Sequence, residues 1–117
     1  MDSILASIKQ MMGITDTFFD ADLIMHINSV ISILTQLGIG PREGFVIEGP
    51  NETWSQFIGD DPKLSSVRTY IFTKTKLMFD PPASGTISDA MKTIANELEF
   101  RLQVESEMIN DRRYNNA

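Results

Sequence analysis

Leu64-Ser65-Ser66-Val67-Arg68-Thr69-Tyr70-Ile71-Phe72-Thr73-Lys74-Thr75-Lys76-Leu77-Met78-Phe79-Asp80-Pro81-Pro82 decides how this chain folds. The periodicity predicts a helix that Asp80-Pro81-Pro82 stops, because proline lacks the amide and clashes with the preceding turn. On a helical wheel Leu64, Val67, Ile71 and Met78 make one seam. Phe72 and Phe79 flank it on one side, Tyr70 and Leu77 on the other. That sweep is wider than the ~100° stripe of a surface helix, so burial must come from more than one direction. A chain of 117 residues has little mass to supply it. The surplus predicts a subunit that covers itself with further copies or with a partner.

Working outward, Asp60-Asp61-Pro62 opens this helix and sets carboxylates at the positive end of its dipole. Residues 41 to 62 read as an irregular connector. Within it, Phe45-Val46-Ile47 predicts a short extended piece, and Thr53 to Ile58 a single helical turn that tucks Trp54, Phe57 and Ile58 inward. An earlier helix runs from an Asp20 N-cap to Leu37, with Leu23, Ile27, Val30, Ile31, Leu34 and Leu37 inward, widened by Ile24 and Ile33, and Asn28, Ser29, Ser32, Thr35 and Gln36 outward. Gly38-Ile39-Gly40-Pro41 ends it. The first helix spans Ser3 to Met12, stops at Gly13, and leads into a turn over Thr15 to Asp20. Downstream, Thr86-Ile87-Ser88-Asp89 resembles a capping box. The helix behind it carries Ile87, Met91, Ile94, Ala95, Leu98 and Leu102 on one face and reaches Met108. From Ile109 the chain is polar and reads as a loose tail. The fold class is therefore all-α, a small helical bundle of about four main helices with a long irregular middle loop and a flexible C-terminal tail. Residues 1–108 form one domain and residues 109–117 the tail.

Length and composition bound the chemistry. One domain of this size buries about two-thirds of its unfolded surface. There is no cysteine, which excludes disulfides, thiolate metal sites and a cysteine nucleophile. No basic leader precedes an apolar run, and no apolar stretch approaches the ~20 residues of a membrane span. A soluble protein made in a reducing cytoplasm, with no membrane contact, is expected. Ten basic against sixteen acidic residues give a net charge of −6, the wrong balance for a protein that neutralises many phosphates.

No catalytic constellation emerges. His26 is the only histidine; it sits at the edge of an apolar stripe one turn after Asp22 and is better explained by packing or capping. Glu97 and Glu99 point about 200° apart on a helix, cannot flank one bond, and read as solvated charges. Gly38-Ile39-Gly40 lacks the third glycine and the strand–helix setting of a dinucleotide loop. The chain reads as a non-enzyme without cofactor or metal. Phe100 and Val104, one turn apart, face away from their helix's core seam. Either the middle loop covers them, through Trp54, or they meet another subunit, where aromatic anchors are enriched. Arg68 and Lys74 fall inside the wide apolar sweep; they either snorkel outward or pair with acids of a neighbour.

Taken together, Tyr70-Ile71-Phe72-Thr73-Lys74-Thr75-Lys76-Leu77-Met78-Phe79-Asp80-Pro81-Pro82 and Glu97-Leu98-Glu99-Phe100-Arg101-Leu102 resemble the small head–tail connector (head completion, adaptor) proteins of long-tailed bacteriophages. Asp20-Ala21-Asp22-Leu23, Gln36-Leu37-Gly38-Ile39-Gly40-Pro41 and the lone Trp54 fit the same layout. The likeness runs from about Ser3 to Val104 and rests on order and spacing, since no single motif is a chemical signature. Phe100 stands where that pattern has Trp.

The resemblance implies a helical bundle that forms a ring of about a dozen subunits beneath the portal of the virion, at the head–tail junction. Such a ring extends the DNA channel and offers a platform to the tail or a stopper protein. Phe72, Phe79, Phe100 and Val104 are the candidate subunit contact, flanked by Arg68, Lys74, Glu97 and Arg101. Asp111, Arg112, Arg113 and Tyr114 are a candidate portal-binding tail. Burying a few aromatics at roughly 1.5–3 kcal/mol each makes weak joints, so monomers are expected in isolation. Acidic side chains facing the lumen let DNA pass without specific binding. Two other classes stay open: a small packaging or regulatory protein that binds nucleic acid through Lys74, Lys76, Arg112 and Arg113, and a stand-alone helical interaction module.

Overall fold

The computed structural model describes residues 2–61 and 64–115, with side chains described as far as residue 107. Five helices follow one another: α1 (Ile4–Met12), α2 (Asp20–Gln36), α3 (Trp54–Ile58), α4 (Leu64–Phe79) and α5 (Gly85–Asn115). No strand occurs among the described residues; one isolated bridge pairs Ser3 with Thr53.

The ends of the early helices are set by local chemistry. Ser3 caps α1 by accepting from the Ala6 amide at 3.2 Å. Both α1 and α2 close with a glycine of positive φ, Gly13 at 74° and Gly38 at 87°. In each, the next isoleucine donates back to a carbonyl five residues earlier, Ile14 to Lys9 and Ile39 to Leu34, which satisfies carbonyls that a helix end leaves open. Phe19, not Asp20, occupies the N-cap of α2. Asp20 is the first helical residue and instead pairs with Lys9 of α1 at 2.8 Å.

The connector is tied down rather than loose. The Asn28 side-chain amide grips the Ile47 peptide from both sides, donating to its carbonyl at 2.9 Å and accepting its N–H at 2.8 Å. Asn28, read as part of a polar outer face, is thereby the anchor of the expected extended piece. α3 carries a full capping box between Thr53 and Gln56. Asp2 reaches its first turn through the Ser55 amide and hydroxyl, and these bonds hold the Asp2 carboxyl below its usual range. Gly40 (φ 85°) has a second role beyond ending a helix: a Cβ there would lie 2.4 Å from the Phe57 ring.

α4 is the hub, packed against α1, α2 and α5. Val67, Tyr70, Ile71, Thr73 and Thr75 are buried, a sector of about 200° at 100° per residue. The wide sweep is real, but the chain's own helices cover it from three directions. Met78, expected in the seam, is exposed in the last turn (44 %).

α5 departs twice from expectation. It starts at Gly85, with the Ser84 hydroxyl accepting from the Ile87 amide at 3.3 Å, so the capping side chain stands two residues before the expected Thr86. It also runs past Met108 to Asn115, so the loose tail expected from Ile109 is helical backbone that far. No glycine or proline follows Gly85 to break it. Its buried seam is Ala95, Leu102 and Ser106, while Ile87 and Ile94, assigned to the core face, are about half exposed.

Candidate assembly surface

The core around α4 commits several side chains that the sequence left free. Trp54 is fully buried, donates from its ring nitrogen to the Ser7 hydroxyl at 3.1 Å, and carries the Arg68 guanidinium over its ring at 5.3 Å. Arg68 therefore neither snorkels outward nor stands free; it is half-buried and turned onto its own chain. Trp54 in turn does not reach Phe100, which stays 67 % exposed. Of the two readings for Phe100, cover by Trp54 is removed.

Glu99 is not the solvated charge that helical spacing suggested. It is half-buried and accepts a short hydrogen bond from the Tyr70 hydroxyl, joining α5 to α4. Burial, followed by the bond to Glu99 and its charge, raises the Tyr70 pKa well above the usual tyrosine range. The neighbouring Glu97 faces solvent and pairs with Arg101 one turn on, both side chains more than half exposed. Such a pair adds little stability.

The remaining candidates separate into two regions. Phe72 and Phe79 are half-buried and packed against the core. Phe79 lies edge-on to Phe19 at 5.5 Å and to His26 at 6.2 Å, at the end of the bundle where α2 begins and α4 stops. His26 is thus a packing residue there. Phe100, Glu97 and Arg101 lie on the outer side of α5, with Val104 half-buried beside them. The eight residues do not converge on one face. Asp111, Arg112, Arg113 and Tyr114 lie on the helical backbone of α5, with side chains outside the described residues.

Sequence reasoning missed the most exposed aromatic among the described residues. Phe18 is 84 % exposed and Phe19 43 %, in the turn between α1 and α2. The Phe18 amide donates to the Asp16 carboxylate at 3.1 Å, and its ring stands edge-on to Phe19 at 4.9 Å. The available signal was a Phe-Phe pair inside a polar turn bracketed by Asp16 and Asp20. Lys76 is turned to Asp80 at 2.8 Å, whereas Lys74 lines a groove with Lys92, so this pair of lysines makes no joint basic patch. Among the described residues no group of three or more His, Asp or Glu side chains is arranged to hold a metal, and no helix is long and apolar enough to cross a membrane.

A bundle of this kind, with apolar side chains left on several outer surfaces, is what an assembly protein requires. The family model described as phage connector protein matches residues 4–108. The chain belongs to the phage connector family. Neither a curated protein nor a solved structure matches it. The match spans α1 to most of α5, so the elements that carry the connector family's pattern are the ones described above. As a phage connector, the protein is a component of the virion.

Proposed function

We propose that this connector is a structural, non-catalytic subunit of the head–tail junction. About a dozen copies form a ring beneath the portal, extend the DNA channel and offer a platform to the tail or a stopper protein. The observation that carries this reading is the connector-family match over residues 4–108. The exposed Phe18, Phe100, Ile87 and Ile94 supply apolar side chains that contacts between copies would bury.

The mechanism is physical. Each joint is heterologous, one surface of a copy against a different surface of the next, and the rotation closes the circle. Weak joints leave the protein monomeric until the portal gathers the copies. A net charge of −6 keeps DNA from sticking as it passes, because like charge repels phosphate. Co-sedimentation with purified portal tests the reading. A stable complex with several connector copies per portal is expected. Failure to co-sediment at high concentration of both overturns it.

A further inference from the structure

Two exposed features lie on opposite sides of α4. One is a knob: Phe18 at the tip of the α1–α2 turn. The Asp16 carboxylate holds the backbone of this turn and Phe19 backs the ring, itself resting on Phe79. Asp16 and Asp22 flank it. Both are exposed, and neither has an ion-pair partner among the described residues. The other is a groove between α4 and α5, lined by Lys74, Leu77, Met78, Lys92, Ala95 and Asn96. These lysines also lack an acidic partner among the described residues. Phe79, which backs the knob, and Leu77, which lines the groove, are two positions apart on α4 and so about 200° apart around it.

We propose that Phe18 of one copy seats in the Lys74–Lys92 groove of the next copy, with Asp16 and Asp22 meeting the two lysines. The inference rests on the ring reading above and names its joint. An aromatic ring suits this groove. Met78 offers a sulfur contact, and Lys74 and Lys92 offer cations to the face of a ring seated there. The opposed charges fix the register and steer the encounter more than they add affinity. Because knob and groove occupy different faces of one chain, each joined copy leaves one of each free, which is the geometry a ring needs.

The chain has no cysteine, so a disulfide trap reads the contact directly. Phe18→Cys and Met78→Cys proteins, mixed at high concentration and oxidised, are expected to form a mixed disulfide dimer. A Ser65→Cys control in place of Met78→Cys, on an exposed position of α4, is not. In parallel, Phe18→Ser and the pair Lys74→Glu with Lys92→Glu are each expected to weaken assembly on the portal about tenfold or more, the scale of a lost interface anchor. An equal mixture of the two variants, each keeping one half of the joint, is expected to stop at a dimer. Circular dichroism verifies the fold of each variant. Absence of the Phe18–Met78 crosslink, together with unimpaired assembly of the variants, overturns the joint while leaving the ring. Absence of wild-type assembly on the portal overturns the ring reading itself, and the crosslink then decides whether the pairwise contact stands without it.

Discussion

α4 and α5 lie side by side, yet they use their side chains in opposite ways. α4 hides a sector of about 200°, including two threonines, Thr73 and Thr75, and three other helices close over it. α5 is nearly twice as long but, as far as residue 107, keeps one narrow buried seam and shows Ile87, Ile94 and Phe100 to solvent. The lesson is that dense apolarity does not mark the outer face. Where greasy residues crowd, the fold has used them; where a single aromatic stands among polar neighbours, it is left over. Phe100 is of the second kind, and Phe18, exposed at a polar turn with only Phe19 behind it, is left over in the same way.

The sharpest way to break this contrast is to truncate one residue from each region. Trp54→Ala removes a fully buried ring beneath α4 and strips Arg68 of its seat. A loss of about 3–5 kcal/mol is expected, the range for large aromatics in cores, read from urea unfolding. Phe100→Ala is expected to stay within about 0.5 kcal/mol of the parent, as surface changes do. Similar losses at both sites would erase the distinction.

Tyr70→Phe tests the link between the two helices. It leaves the Glu99 carboxylate without its donor, and a loss of about 1.5–3 kcal/mol is expected for a hydrogen bond to a charged group. The pH dependence has a definite sign. An unfolded tyrosine ionises near pH 10, whereas folding raises the Tyr70 pKa above that. The native state therefore keeps a proton that the unfolded chain gives up. This contribution is intact below about pH 10 and is lost as pH rises further. Denaturant midpoints of parent and Tyr70→Phe measured from pH 8 to 11 should converge at the alkaline end. A constant gap would contradict the assignment.

Much of this fold was legible from periodicity and punctuation. Gly13, Gly38 and Pro81-Pro82 each fix a boundary by backbone chemistry alone, and the sides of α2 and α4 follow from 3.6-residue spacing. What escaped was tertiary. Asn28 looks like a surface residue until the connector returns to it, and Gly40 looks like a helix stop until Phe57 arrives beneath it. The end of α5 escaped for another reason: polarity reads as looseness, but the run after Ile109 holds no glycine or proline to end a helix already under way, and Arg112 and Arg113 are good helix formers. Of the candidate contact, the exposure of Phe100 was readable from its place opposite the seam. Phe18 was not, because a turn has no period to betray which side chain projects.

Gly40→Ala sharpens the point about the connector. The added methyl meets the Phe57 ring at a positive φ, and a loss of about 1–3 kcal/mol is expected, as for other overpacked sites. A change of a few tenths would mean that the ring moves aside freely. The smallest effect belongs to α5's outer surface, where Glu97→Ala should shift stability by under about 1 kcal/mol, and less still in high salt.

Electron microscopy of the protein bound to a phage portal tests the central claim most directly. The expected image is a closed ring of copies on the portal in which α4 is covered by its own chain and the Phe18 turn meets a neighbouring copy. Single unassociated copies, or a ring in which the Phe18 turn meets no neighbouring copy, would contradict it.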